Sequence, residues 1–190
     1  MIINSRSSNF LFTFPKGFFT KAVINKYTPY VKRNYLPYDT LENFMAAQIQ
    51  SVTFPTINMD PVQQTRYLGK KQEYKNSVQI ADLFTRDLSV TFKTLDGYIN
   101  YWIFLENVLE YLNFDNKDLY FDDLQMRFLD QEGRVVLTTQ YKGTYFKSMT
   151  EVTLSYSDNN PDFKTFTATF GFYKMDIFVD HDYYIVHETN

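Results

Sequence analysis

Residues 87–114 constrain the fold of this chain more than any other stretch, because a two-faced strand there runs directly into a long helical pattern. Leu88, Val90 and Phe92 alternate with Asp87, Ser89, Thr91 and Lys93, the period of a strand with one dry face and one wet or polar face. From Tyr98 the period lengthens: Tyr98, Tyr101, Trp102, Leu105, Val108, Leu109 and Leu112 make a single apolar stripe at helical spacing. This stripe is expected to pack on the domain's own sheet. Thr94 or Asp96 can cap the start of the helix, and Asn113 can take the left-handed position at its end.

The other side of the same helix is also partly apolar, with Ile99, Ile103, Phe104 and Tyr111 among Asn100, Glu106, Asn107 and Glu110. A helix that is apolar on more than one side has more than one neighbour. The second neighbour is either another subunit, or a surrounding partner, or a long loop of the same chain lying over Ile103 and Phe104. Ile99, Ile103, Phe104, Tyr111, Glu106 and Glu110 are therefore the candidate interface residues.

Apart from that helix, the chain reads as β-structure. Phe10, Phe12 and Phe14 alternate with Leu11 and Thr13 before Pro15 and Gly17 close the strand. Met45–Phe54, ended by Pro55, reads as a second strand. After the helix, Leu124, Met126 and Phe128 share one face, Asp130-Gln131-Glu132-Gly133 is a turn signal, and Arg134–Tyr141 returns as the hairpin partner. Gly143–Met149 and Val152–Tyr156 read as short strands. In Lys164–Tyr173, Phe166, Ala168, Phe170 and Phe172 alternate with Thr165, Thr167, Thr169 and Gly171. The expected fold is mainly β, a barrel or sandwich of antiparallel strands flanked by one α-helix. Residues 1–190 form a single domain with a core of about 44–178, an insertion at 16–43, a long polar arm at 55–86 and a C-terminal extension at 176–190. The insertion is basic and Tyr-rich, an irregular excursion that packs on neighbouring protein or offers a nucleic-acid surface.

Composition narrows the function classes. Aromatic residues are 19% of the chain, with 19 Phe and 16 Tyr, which suits a β-rich protein that makes interfaces. A net charge of −3 excludes a broadly basic nucleic-acid binder. The lack of cysteine removes thiol catalysis, disulfides and Cys-based metal sites, and fits folding in a reducing cytosol. The first nine residues have no apolar run behind a basic one, and no stretch approaches the length of a membrane span, so neither a signal peptide nor membrane insertion is expected.

Catalytic chemistry finds nothing to hold on to. His181 and His187 lie near the end of the chain, and Asp180-His181-Asp182 has no zinc-ligand spacing. Asp122-Asp123 and the Glu106/Glu110 pair are not specific enough for a paired-carboxylate hydrolase site, and the second pair, at i and i+4 on one helix, reads more plainly as a solvated or partner-facing edge. No phosphate loop, dinucleotide fingerprint, nucleophile elbow or HExxH motif occurs. No catalytic residue, cofactor or metal is therefore expected, and a non-enzymatic role is the expectation.

With Ile49-Gln50-Ser51-Val52-Thr53-Phe54-Pro55, then Leu88–Phe92 leading into the Tyr98–Leu112 helix, and with Gly143–Met149, Leu154-Ser155-Tyr156, Asn160-Pro161 and Thr165–Tyr173 near the end, the chain resembles the tail tube family of contractile, T4-type phage tails. The related inner tubes of bacterial contractile injection systems share the pattern. The ordered set spans roughly residues 44–178.

That resemblance implies hexameric rings whose sheets join into one lumen wall. The rings stack into a hollow tube inside a contractile sheath, through which phage DNA passes into the host. The implied partners are further copies of the chain, the sheath, baseplate and tail-terminator proteins, the tape measure protein and the transiting DNA. The implied location is the tail of a virion assembled in the host cytoplasm. A channel that passes DNA should be polar or acidic rather than lined with cations that hold phosphates. Ser89, Thr91, Thr165, Thr167 and Thr169, with Glu151 and Asp158 nearby, are accordingly expected to face the lumen. Arg66, Tyr67, Lys70 and Lys71 on the 55–86 arm are expected to make ring-to-ring contacts. A soluble β-sandwich that stacks carbohydrate on its tyrosines is the alternative from another class.

Overall fold

Strict alternation makes β5 (Asp87–Lys93) and β9 (Thr165–Gly171) the middle strands of a sheet. They pair antiparallel in unbroken register, from Asp87 opposite Gly171 to Lys93 opposite Thr165. The computed structural model describes residues 9–33, 38–56, 62–65, 71–74, 86–112, 121, 123–154 and 164–179. Around the β5–β9 pair, β2 (Ile49–Thr53) and β8 (Tyr145–Met149) complete a four-stranded sheet of order β2-β5-β9-β8. A second four-stranded antiparallel sheet has the order β1-β6-β7-β10, from β1 (Phe10–Thr13), β6 (Leu124–Leu129), β7 (Val135–Lys142) and β10 (Lys174–Val179).

The chain passes between the sheets at one corner. Gly143, at φ 60°, turns β7 toward β8, and Tyr173 between β9 and β10 donates its backbone N–H to Lys142 O at 2.9 Å. A left-handed φ costs glycine nothing. The dry face of the β5–β9 sheet carries Leu88, Val90, Phe92, Phe166, Ala168 and Phe170, none more than 1% exposed. Phe12, Leu124, Met126 and Tyr141 of the other sheet belong to the same core. Phe92 and Phe166 stack at 4.9 Å, and Phe104 sits between Phe92, Phe166 and Phe170. Burial of such rings, at about 1.5–3 kcal/mol each, is the main force holding the two strands under the helix.

The helical content exceeds the sequence expectation of one helix. Besides α3 (Ile99–Leu112), residues 16–43 contain α1 (Lys21–Arg33) and α2 (Leu41–Ala46). In α1, Val23, Tyr27 and Val31 recur every four residues and are buried. Pro29 inside this helix and its β-branched neighbours hide the pattern, since both weaken helix propensity. In α2, Thr40 caps the start by accepting from Asn43 N–H at 3.2 Å, so Met45 and Ala46 belong to a helix and not to the strand expected over Met45–Phe54. Residues 152–154 of the expected Val152–Tyr156 strand are irregular, and 155–156 lie outside the described residues.

Within the 55–86 arm, β3 (Val62–Thr65) and β4 (Lys71–Tyr74) form an antiparallel hairpin. The start of the C-terminal extension belongs to β10, which pairs with β7.

Candidate functional site

The polar face of the β2-β5-β9-β8 sheet is a field of hydroxyls. Ser89 and Thr169 hydroxyls are 3.2 Å apart, and those of Thr91 and Thr167 are 2.9 Å apart. Register extends both rows across the sheet, because Thr53 lies opposite Ser89 and Ser51 opposite Thr91 on β2, while Ser148 of β8 lies opposite Thr169. Just beyond β8, Thr150 Oγ1 accepts from Thr167 N–H at 2.8 Å. The rows therefore read Thr53–Ser89–Thr169–Ser148 and Ser51–Thr91–Thr167–Thr150. Hydroxyls paired with each other and open to water are satisfied without any charge.

One end of this face is closed by an aromatic ring and an ion pair. Asp87, Gly171 and Tyr145 are in register there, and a Cβ built on Gly171 would fall within the Tyr145 ring. Glycine is what lets Tyr145 lie flat across β9. Beside it, Lys147 Nζ meets Asp87 Oδ1 at 2.6 Å, a hydrogen bond that raises the lysine pKa and cancels both charges locally. At the other end, Lys93 and Thr165 are both exposed and opposite one another. The arrangement can hydrate and guide a passing chain, but it assembles no nucleophile with a base.

Of the residues expected on the polar wall, Ser89, Thr91, Thr165, Thr167 and Thr169 share this one face. Glu151 is exposed in the irregular segment after β8, and Asp158 lies outside the described residues. Sequence reasoning missed Ser51, Thr53, Ser148 and Thr150. Ser51 and Thr53 sit on a visible alternation, whereas Ser148 reaches the face only because a bulge after Phe146 shifts the register of β8.

For Ile103 and Phe104 the interface expectation is overturned in favour of cover by the chain itself. Ile103 and Phe104 are fully buried in the chain's own core, whereas Trp102, Leu109 and Leu112, expected to be core, are 49%, 58% and 58% exposed. Ile99 and Tyr111 are partly buried and pack against the same core. The inversion has a physical cause in two buried asparagines that make the inward face look polar. Asn100 accepts from Leu95 N–H at 3.2 Å and donates to Lys93 O at 2.6 Å, closing the β5–α3 connection. Asn107 accepts from Thr20 N–H at 2.9 Å and donates to Phe18 O at 3.0 Å, pinning the segment that enters α1. Tyr111 Oη donates to Gly17 O at 3.0 Å in the same place. Polar side chains whose donors and acceptors are both satisfied by backbone are stable inside a core.

Glu106 is taken by its own chain as well. It pairs with Lys26 of α1 at 2.5 Å, which holds the glutamate pKa low and the lysine pKa high. Glu110 is exposed. Lys71 opens β4 opposite Thr65 and is exposed, while Arg66, Tyr67 and Lys70 lie outside the described residues. Among the described residues no cluster of three or more His, Asp or Glu is placed to hold a metal ion, and no helix is long and apolar enough to cross a membrane.

No protein-family profile matches the chain, and no curated protein matches its sequence. Solved structures do. The cap that terminates the tube of the anti-feeding prophage aligns over 95% of this chain and 94% of its own, at 11% identity and a TM-score of 0.52. A chain of the sheath–tube complex of the PVC extracellular contractile injection system, in its extended state, aligns over 93% of both chains at 10% identity and a TM-score of 0.52. Over nearly its whole length, therefore, this chain has a fold seen in the anti-feeding prophage cap and in the PVC sheath–tube complex.

Proposed function

We propose that this chain is a tube-type subunit of a contractile tail-like particle. Its copies close into rings, hexameric by the family resemblance, and the rings stack into a hollow tube inside a sheath. The observation that carries this reading is the hydroxyl face of the β2-β5-β9-β8 sheet. It is a four-strand-wide surface, self-hydrogen-bonded, backed by a dry aromatic core, with its Asp87–Lys147 charges mutually paired. Such a wall suits a lumen, because a transported polyanion such as DNA meets hydration rather than a ladder of cations that would hold each phosphate. Joining sheets around a ring would also cover the outer edges that β2 and β8 present among the described residues, a liability in an isolated sheet.

The fold shared with the prophage cap and the PVC sheath–tube chain supports a place in such a particle. Because the PVC chain comes from a contractile injection system, the inner tube of an injection system stands beside the phage tail tube as a second reading. Sheath, baseplate, terminator and tape measure proteins are the partners either particle supplies. The outward strip Trp102, Leu109 and Leu112 on α3 is one exposed apolar surface available to one of these neighbours or to the next subunit.

Negative-stain microscopy of the purified protein tests this reading, with rings or hollow tubes as the expected result. A monodisperse monomer that binds oligosaccharide would establish the sandwich-type binding module instead. Nuclease-protected DNA in the native particles separates the phage tail from the injection system.

A further inference from the structure

The two strand ends of the hydroxyl-faced sheet carry tyrosines held in opposite electrostatic company. Sheets joined edge to edge around a ring run their strands along the axis with a tilt, so strand ends face the rings above and below. At the Asp87 end, Tyr173 in the bend between β9 and β10 is 75% exposed, and the Arg86 guanidinium lies over its ring at 5.6 Å from the centroid. A cation over an aromatic face holds both groups in one patch. Tyr173 is fixed from the backbone as well: its N–H donates to Lys142 O at 2.9 Å, and a Cβ built on Gly143 would come within 3.2 Å of Tyr173 Cβ.

At the Lys93 end, a turn closed by Tyr98 N–H donating to Leu95 O at 2.8 Å leads into α3. Gly97 has φ 68° and Tyr98 has φ 56°. The first costs glycine nothing, whereas the second strains a bulky side chain. Leu95, Ile99 and Tyr101 pack against the core, while Tyr98 is half-buried and Asp96 and Gly97 are exposed. A Cβ built on Gly97 would meet nothing within 4 Å among the described residues, so the turn projects. Strain kept on an aromatic at a projecting turn, where glycine would be relaxed, is a signature of a side chain used outside its own subunit.

One end thus offers a tyrosine with a cation, the other a tyrosine with a carboxylate. Two unlike surfaces that fit each other make a head-to-tail contact, which repeats along an axis. On the stacked-ring reading, on which this rests, we propose that the Arg86–Tyr173 patch of one copy docks on the Asp96–Tyr98 turn of a copy in the next ring, with Arg86 against Asp96 and the two tyrosine rings in contact. Lys93 lies on the hydroxyl face with Ser89 and Thr91 and belongs to the wall. The charge pairing sets the polarity of stacking, since like ends would oppose Arg86 to Arg86 or Asp96 to Asp96.

Negative-stain microscopy of the full chain and its charge variants tests the contact. Arg86→Glu and Asp96→Arg should each leave rings intact but cut mean tube length at least about tenfold, because each sets like charges against one another at every stacking contact. Arg86→Glu/Asp96→Arg, which exchanges the two charges, should restore the tubes. Wild-type lengths in both single variants, or no recovery in the double, overturn the proposal. Tyr98→Gly separates assembly from folding: relief of the left-handed strain should raise the thermal midpoint of the subunit while the tubes shorten. A lowered midpoint, or tubes of full length, contradicts the role given to Tyr98. Absence of rings from the wild type itself overturns the stacked-ring reading, and this contact with it.

Discussion

The two four-stranded sheets differ in how completely their surfaces are finished. In the β2-β5-β9-β8 sheet, alternation is carried through to the last residue of β5 and β9, with apolar side chains sealed on one side and hydroxyls paired on the other. The β1-β6-β7-β10 sheet begins the same way at Phe12 and Met126 but ends with Ile177 and Val179 uncovered. A face whose polar groups bond each other is a surface meant for water; an apolar face that runs out past its cover is one that awaits more protein. The contrast separates the channel wall we propose from the parts of the subunit that need partners.

The largest expected effect breaks the wall's support rather than the wall. Phe170→Ala, on the dry side of β9, should cost about 3–5 kcal/mol in chemical denaturation, through lost burial and the cavity left behind. Its neighbour Thr169→Ala removes one half-exposed hydroxyl and should cost under about 1 kcal/mol. Similar costs for the two would mean that the sheet's faces are not divided as described.

Asn107→Ala should follow, at about 2 kcal/mol, because Thr20 N–H and Phe18 O lose their buried partner. Faster amide exchange at Thr20 checks the cause as well as the cost. This asparagine also shows what the sequence could and could not disclose. Strands β5 and β9 were legible because period-2 alternation of Phe, Val and Leu with Thr and Ser has one physical reading, a sheet with unlike faces, whereas β3, β4 and β10 lay in segments read as an arm and an extension. Helix α3 was legible in extent, but its buried side was not. Asn100 and Asn107 face inward, paired to backbone atoms that only the folded chain brings near, so the side carrying Trp102, Leu109 and Leu112 looked drier than the true core side. Helix α1 was hidden by Pro29, and Ser148 by a bulge that no alternation count registers. Of the candidate wall, the central strands could be read directly, while its outer strands required the register.

A smaller effect is expected at Gly171. Gly171→Ala should cost about 1 kcal/mol by displacing the Tyr145 ring, and Gly171→Ala/Tyr145→Ala should recover that cost because the collision is gone. If the double variant is no better than additive, Tyr145 does not lie across β9.

The smallest effect concerns the outer face of β10, where Asp176 is held between Lys142 at 2.9 Å and Lys174 at 2.8 Å. These hydrogen bonds, with Lys142 first, lower the Asp176 pKa, and the Asp176 bond raises that of Lys142. A carboxylate with a depressed folded pKa contributes stability that is present above its unfolded value and lost as pH falls through the folded one. Wild type should therefore exceed Asp176→Asn slightly in thermal stability near neutral pH, and the gap should close below the ordinary carboxylate range. A gap that widens on acidification has the wrong sign for this account.

The most direct test of the central claim is a cryo-microscopy map of the assembled protein. A hollow tube whose inner surface carries Ser89, Thr91, Thr167 and Thr169, with α3 on the outside, is the expected result. A tube with these four side chains buried between subunits or facing outward would contradict it.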